Sequence, residues 1–160
     1  YLNYQILSGV DAIQVFDSWV GCLGVSDYKR HVYPHTKRLF ESLIRRVPVI
    51  HFGTGNPALL PLMAASGGDV MALDWRAPLT ESWNDLGCKS IQGNLDPVAL
   101  FGSEKSVIKA AKEILDDVAG RPGHIFNLGH GILPQTPLEN VKALVRVVQD
   151  YSPEVKSRYQ

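Results

Sequence analysis

Short runs of apolar and β-branched residues alternate with longer amphipathic stretches along most of the chain. The short runs predict five β-strands, and the stretches between them predict helices with apolar residues at helical spacing. In the helix predicted over residues 106–118, for example, Val107, Ala111 and Val118 fall on one face. Strands that alternate with helices predict an α/β protein with a parallel sheet. The predicted strands cover residues 12–16, 47–52, 70–73, 124–128 and a run that begins at 90–92.

The helix predictions rest on spacing and on capping residues. The first helix is predicted over residues 27–46, with Leu39, Leu43 and Ile44 on its inner face. Asn56 and Asp96 are each placed to cap a helix, and a proline follows each of them at the first helical position. Further helices are predicted over residues 79–86 and 106–118 and from residue 136 onward. The polar residues 152–160 predict a frayed end.

Two architectures fit this order of elements: a doubly wound open sheet, and part of a (β/α)8 TIM barrel. In both, binding and catalytic residues lie at the carboxyl ends of the strands. Polar, aromatic or glycine residues follow all five predicted strands there, as in FDSW at 16–19 and NLGHG at 127–131. Core strands have no packing reason to end in this way. We therefore expect a functional site at this edge of the sheet.

The composition excludes several classes of protein. The 160 residues suit one domain or part of a larger one, and the 45% that are apolar can fill a sizeable core. Sixteen Lys and Arg balance sixteen Asp and Glu, whereas a nucleic-acid-binding protein normally has a basic excess. No apolar run approaches the ~18–20 residues that a membrane span needs. Cys22 and Cys88 lack the spacing of a zinc site or a disulfide framework, which suits a reduced, cytosol-like compartment.

His130 is the strongest single candidate for a site residue. Glycines on both sides let a ligand approach the backbone and expose the imidazole, which can pair with a carboxylate or donate a hydrogen bond. Ser18 is a candidate donor to a ligand, because neither a local His nor a nucleophile elbow supports a catalytic serine. Arg76 is placed either to face an anionic ligand or to be a solvated loop charge. Asp74 and Asn94 lie at strand ends on the same edge and are weaker candidates.

Two cofactor sites are disfavoured by the residues. GTGNPA at 53–58 matches the dinucleotide pattern G-x-G-x-x-A, and Asp74 follows at the spacing of a ribose-binding acid. However, a full βα unit precedes this strand, and Pro57 removes a backbone N–H from the helix start that would hold the pyrophosphate. A catalytic zinc site needs three convergent protein ligands. Beside His51 the second position is Gly53 rather than a cysteine, and no third ligand is placed nearby.

Four segments together resemble uroporphyrinogen decarboxylase: FDSW at 16–19, LDW at 73–75, QGNLDP at 92–97 and NLGHGILPQTP at 127–137. The last is long and distinctive, and the resemblance runs in order from residue 1 to about residue 151. It implies a (β/α)8 barrel, of which residues 1–160 are expected to form a single domain of about five C-terminal βα units. The first residues look like the tail of a helix, which adds the expectation that the sequence begins in mid-protein.

The family converts uroporphyrinogen III to coproporphyrinogen III by removing four acetate carboxylates as carbon dioxide, without a metal or organic cofactor. The resemblance implies that Ser18 hydrogen-bonds a substrate carboxylate, that His130 contacts carboxylate side chains and that Phe16 packs against the macrocycle. The family's paired arginines, pyrrole-centring aspartate and site tyrosine have no matching motif here. No catalytic residue is therefore expected in this portion, and the chain alone is expected to be inactive. The resemblance also implies a cytoplasmic homodimer.

Two other functions stay open at this point. The first is a zinc-dependent, cobalamin-linked methyltransferase on the same barrel; that group has His-x-Cys where this chain has His51-Phe52-Gly53, so the missing thiolate counts against it. The second is a non-catalytic tetrapyrrole-binding relative that has kept the motifs.

Overall fold

The computed structural model describes residues 1–151, and these form an α/β fold around one sheet. Every pair of neighbouring strands is parallel, and the spatial order of the strands is their order in the chain. In the described residues the strands are β1 (Ile13–Asp17), β2 (Val49–Gly53), β3 (Val70–Ala72), β4 (Ser90–Leu95) and β5 (His124–Leu128). The helices are α1 (Leu2–Leu7), α2 (Val25–Asp27), α3 (Tyr33–Glu41), α4 (Leu60–Ser66), α5 (Leu79–Leu86), α6 (Glu104–Val118) and α7 (Leu138–Asp150).

The hydrophobic core lies between one face of the sheet and the helices. Alternate strand residues point into it because successive side chains in a strand face opposite ways. Ile13 and Val49 pack against Phe40 of α3. Three clusters form this core, and they centre on Met71 with Trp83, on Ile13 with Phe40, and on Leu95 with Val107 and Leu144.

Sequential strand order, with helices packed on one face, identifies the winding of a βα barrel. A doubly wound sheet reverses its strand order part-way and places helices on both faces. The five described strands therefore match part of a barrel, which decides between the two predicted architectures. The sheet is also curled, because Gln92 of β4 and Gln14 of β1 contact each other across its concave face.

The helix predicted over residues 27–46 is wrong in its continuity and its end, but two of its three predicted inner residues do reach the core: Leu43 is buried, and Ile44 packs against the same cluster. The structure has the short α2, one π-helical turn over Tyr28–Val32, and then α3, which ends at Glu41. Pro34 lies in the first turn of α3 and has no N–H to donate backwards, which favours a break in the regular α-helical ladder. The third predicted inner residue, Leu39, is 37% exposed, and Phe40 of α3 is fully buried instead.

Most of the predicted helix ends are confirmed. The Asn56 side chain accepts a hydrogen bond from the Ala58 N–H, and the Asp96 side chain accepts one from the Val98 N–H. α5 ends at Gly87 in the left-handed conformation that favours glycine. The predicted fraying of residues 152–160 lies outside the described residues. Within residues 1–151, no helix combines the length and the apolar character that crossing a membrane requires.

Candidate active site

The concave face of the sheet has an aromatic wall at the carboxyl ends of β1 and β2. Phe16 and Phe52 are register partners on these strands, and their rings meet edge to face with centroids 5.7 Å apart. Phe52 is buried, whereas Phe16 is 66% exposed. The Phe52 ring also lies 6.4 Å from the His130 ring, which follows β5. Three strand ends that are not all neighbours in the sheet therefore meet at one place.

The loop after β5 positions His130. The Gly129 N–H donates to the Leu95 carbonyl at 2.7 Å, and this bond continues the pairing of β5 with β4 by one residue. A Cβ on Gly129 would lie 2.5 Å from the Trp75 backbone nitrogen, so the loop after β5 packs directly on the loop after β3. A Cβ on Gly131 would meet no atom within 4 Å. His130 itself is exposed, as its flanking glycines predict.

Ser18 directly follows β1, in the turn at the end of the strand. Its carbonyl accepts a hydrogen bond from the Thr54 hydroxyl at 2.7 Å, which ties the end of β1 to the end of β2. The backbone at Ser18 is thus anchored by its neighbour strand. The Ser18 side chain lines both of the clefts described next.

Two clefts meet at Ser18 and His130. The inner cleft, of about 200 Å³, is lined by Gln14, Phe16, Ser18, Phe52, Asn127 and His130, with Leu128 and Gly131. The outer cleft, of about 380 Å³, is lined by Ser18, Trp19, Trp75, Arg76, Thr54 and His130, with Gly21, Cys22 and Gly55. One ligand can occupy both clefts, because the two share these two polar side chains.

Several of these lining residues were not predicted from the sequence. Gln14 has the same parity as Phe16 and Ser18, so the alternation of β1 was a usable signal for it. Asn127 has the parity of Ile125 on the concave face of β5 and could have been found in the same way. Trp19 and Trp75 lie in loops, where no periodicity predicts the direction of a side chain.

Asp74 and Arg76 form an ion pair beside the outer cleft. The Arg76 Nη1 donates to Asp74 Oδ2 at 2.7 Å, and the backbone N–H groups of Gly55 and Arg76 also donate to this carboxylate. Asp74 is 4% exposed and lines neither cleft. Its contacts are those of a residue that shapes the loop after β3.

Asn94 is buried behind the same loop. Its Nδ2 donates to the carbonyls of Asp74 and Ala77 at 2.8 and 2.7 Å. Both bonds hold the turn that precedes α5, and Asn94 lines neither cleft. Of the six predicted site residues, the structure therefore brings Ser18, His130, Phe16 and Arg76 to the clefts, and it places Asp74 and Asn94 behind them.

A carboxyl and a phenol lie on the helix side of the site. Burial raises the pKa of Asp17, which precedes Ser18 and has the parity of the core-facing residues of β1. Burial, together with the nearby charge of Asp17, raises the pKa of Tyr28 to about 12. Tyr28 is fully buried in the π-helical turn. Both groups support the end of β1 from behind rather than face the clefts.

The residues of both disfavoured cofactor sites have other partners in the fold. His51 is fully buried among the helices, with Nδ1 3.3 Å from the Met63 carbonyl and its ring 4.7 Å from Phe40, so it points away from the clefts. Across residues 1–151, no group of three or more His, Cys, Asp or Glu side chains is placed to hold a metal ion. The Gly55 N–H, which a dinucleotide phosphate would need, donates instead to Asp74.

Comparison with known proteins decides the family. The family model described as uroporphyrinogen decarboxylase (URO-D) matches residues 1–151, which is the whole described part. The chain belongs to the uroporphyrinogen decarboxylase family. Curated relatives named uroporphyrinogen decarboxylase include one from Koribacter versatilis, 51% identical over 158 residues, and one from Thermus thermophilus, 49% identical over 151 residues. The resemblance seen in the sequence is therefore confirmed.

The uroporphyrinogen decarboxylase relatives are longer than this chain. The Koribacter match covers 97% of this chain and 45% of the relative, and the Thermus match covers 94% and 44%. Among solved structures, a methyltransferase from Methanosarcina mazei superposes with a TM-score of 0.79 at 23% identity, covering 92% of this chain and 44% of its own. That likeness supports the partial-barrel fold, and at this identity it shows nothing about activity.

Proposed function

We propose that this chain supplies the C-terminal part of the substrate site of a uroporphyrinogen decarboxylase. The reaction is the removal of the four acetate carboxylates of uroporphyrinogen III as carbon dioxide, giving coproporphyrinogen III. The observation that supports this most is the meeting of Ser18 and His130 at the junction of two clefts, next to the exposed ring of Phe16. A hydroxyl, an imidazole and an aromatic face are suited to a macrocycle of pyrrole rings with carboxylate arms.

Each of these residues has a distinct part in the proposal. The Ser18 hydroxyl donates a hydrogen bond to one substrate carboxylate, and the His130 imidazole donates to another or pairs with it when protonated. Phe16 stacks on a pyrrole and orients the macrocycle, and Phe52 supports its ring from the side. The contribution of these residues to the rate is positioning, because a held substrate reacts without the entropy cost of a random encounter.

The chemistry can proceed without metal or organic cofactor, because a pyrrole protonated on a ring carbon is itself an electron sink. Loss of carbon dioxide sends the bonding electron pair of the acetate arm into that ring. A proton then adds to the new methylene group to give a methyl group, and the ring releases the proton it first took up. Each arm thus takes up one proton and releases one carbon dioxide. The proton donor belongs to motifs that residues 1–151 do not contain, so Ser18 and His130 are not proposed to be catalytic.

The broader setting is part of the proposal. We infer a cytoplasmic homodimer in which residues 1–160 belong to a single domain. The continuous five-stranded sheet supports the single domain, and membership of the family is the ground for the location and for the dimer. Light scattering should give twice the protomer mass, and unfolding in urea should show one cooperative transition.

The test is a chimera in which residues 1–151, which the family model matches, replace the corresponding segment of the Koribacter versatilis relative. Under anaerobic conditions with a metal chelator present, uroporphyrinogen should lose carboxylates stepwise from eight to four. Ser18→Ala and His130→Ala should each reduce kcat/KM at least about tenfold, the equivalent of one lost charge-assisted hydrogen bond. Ser26→Ala and His35→Ala, which change exposed residues of the same types, should leave it unchanged.

A folded chimera that turns over nothing, while the intact relative is active, would overturn the decarboxylase assignment. If that chimera still bound uroporphyrin tightly, a non-catalytic tetrapyrrole-binding protein would be the better description.

A further inference from the structure

Arg76 is held in one orientation at the wall of the outer cleft. Its guanidinium carbon lies 4.1 Å from the centroid of the Trp75 ring, and its Nη1 donates to Asp74 at 2.7 Å. Stacking and a hydrogen bond together fix both the plane and the rotation of the group. Asp74 is buried, but the Arg76 side chain is 46% exposed. The arginine therefore presents a fixed cation to the solvent side of the cleft.

The contacts of Asp74 leave Arg76 with unused donor capacity. The carboxylate already accepts two backbone N–H groups, from Gly55 at 2.7 Å and from Arg76 itself at 2.9 Å, so part of its hydrogen-bonding capacity is met without the guanidinium. A guanidinium has five N–H donors. In the described part of the chain, one of them has a hydrogen-bond partner, through Nη1. The remaining edge is able to take a carboxylate in the bidentate manner that arginine favours.

The walls around this cation are aromatic and open. Trp19 is 89% exposed and lines the same cleft as Trp75 and Arg76. Two indole rings and a cation provide apolar contact for a methylene chain and charge for its terminal carboxylate. Because Ser18 and His130 border both clefts, a ligand in the inner cleft can extend one arm to Arg76.

We infer that the outer cleft is a second carboxylate subsite, in which Arg76 binds one acid arm of the tetrapyrrole while Trp19 and Trp75 flank its methylene groups. The identity of the ligand rests on the proposed function. Arg76 is in this view an affinity and specificity residue rather than a catalytic one, so it binds the ground state and the transition state alike. Its loss should raise KM and leave kcat unchanged.

The experiment is a titration of the full chain with uroporphyrin, followed by fluorescence. Arg76→Gln keeps a donor for Asp74 but removes the charge, and it should raise Kd about tenfold, the loss expected for one charge-assisted contact. Arg76→Lys keeps the charge but loses the planar guanidinium, so its Kd should lie between the Kd of the unmodified chain and that of Arg76→Gln. The matched control is Arg121→Gln, because Arg121 also stacks on a tryptophan, 3.9 Å from the Trp83 ring, and also donates at 2.7 Å, to Asn84.

Arg121 lines neither cleft, so its loss should change Kd less than twofold. The midpoint of thermal unfolding of both variants shows whether a change in Kd reflects lost structure. Equal Kd values for the two glutamine variants, with Ser18→Ala and His130→Ala still weakening binding, would overturn the subsite alone. If the chain alone binds too weakly to titrate, the same variants are compared in the chimera. Absence of uroporphyrin binding by both the unmodified chain and the folded chimera would overturn the proposed function and the subsite together. In the chimera, a fall in kcat at constant KM for Arg76→Gln would contradict the assigned role.

Discussion

Gln92 of β4 donates a side-chain hydrogen bond to Gln14 of β1 at 3.4 Å, although β2 and β3 lie between them in the sheet. Three inter-strand steps of about 4.8 Å would separate these positions by about 14 Å in a flat sheet. Side chains stand roughly perpendicular to a sheet, so the contact requires strong curvature. The curvature brings the ends of β1 and β5 toward each other, and it is the reason that Ser18 and His130 can border the same clefts.

Phe16 offers a test that separates binding from stability. Its side chain is 66% exposed, so Phe16→Ala should lower the free energy of unfolding by about 1 kcal/mol or less, mainly through the lost edge-to-face contact with Phe52. The same change should weaken uroporphyrin binding about tenfold, because it removes the proposed stacking surface. Fluorescence titration and urea unfolding measure the two effects. Phe101→Ala removes a 43% exposed phenylalanine outside both clefts and should leave binding unchanged. Equal losses of uroporphyrin affinity in the two variants would contradict the stacking role of Phe16.

Gly129 and Gly131 flank His130 but should respond differently to alanine. A Cβ at Gly129 would lie 2.5 Å from the Trp75 nitrogen and 3.1 Å from the Asp74 Cα, and backbone atoms cannot rotate out of the way. Gly129→Ala should therefore destabilise the fold by about 1–3 kcal/mol. Gly131→Ala enters open space and should stay within about 0.5 kcal/mol of the unmodified chain. Urea denaturation measures both, and indistinguishable midpoints would show that the two loops do not pack as described.

His51 should make the stability of this chain sensitive to acid. Burial lowers the pKa of His51 to about 4, despite hydrogen bonds to the Met63 and Gly67 carbonyls that act in the other direction. The folded state therefore stays neutral at His51 between pH 6.5 and pH 4, while the unfolded state takes up a proton. The free energy of unfolding should be unaffected above pH 7 and should fall by about 3 kcal/mol as the pH drops to 4.

The measurement is urea unfolding at a series of pH values between 4 and 8. His51→Gln should remove this part of the pH dependence. Any loss of packing should lower the free energy of unfolding by the same amount at every pH. His31→Gln changes an exposed histidine and should keep the full dependence. A slope that is the same in His51→Gln and in the unmodified chain would show that His51 is not the responsible group.

The number of strands could be predicted because each strand is a short apolar run bounded by turn residues, and their parallel direction could be predicted because helices alternate with them. Their spatial order stayed open between two architectures until the structure gave it. Cap residues such as Asn56 and Asp96 were also predictable, since the residue type and the following proline act locally. The helix over residues 27–46 was mispredicted as continuous because a π-helical turn interrupts it, and a fixed period of 3.6 residues cannot represent that turn. Leu43 and Ile44 reach the core as predicted, whereas Phe40 rather than Leu39 is buried within α3.

The candidate site was predictable to the level of the strand ends but not to the level of individual side chains. His130 and Ser18 reach the clefts because they lie on segments whose direction is set by the sheet. Asp74 follows a strand in the same way, yet it is buried, because the Gly55 N–H and Arg76 turn it into the loop. Whether such hydrogen bonds draw a side chain away from a cleft depends on residues that are distant in the sequence, so a sequence pattern cannot predict it.

The contact between Gly129 and the Asp74–Trp75 backbone has a consequence for protein engineering. His130 and Arg76 lie immediately next to the two sides of this contact, so a change in either loop displaces the other. A library that varies only one of the two loops leaves the other loop unchanged. Most of its members would then have a strained backbone where the two loops pack together. An engineer who seeks a different set of acid arms in the substrate should therefore randomise residues 74–76 and 129–131 together, as one unit of recognition.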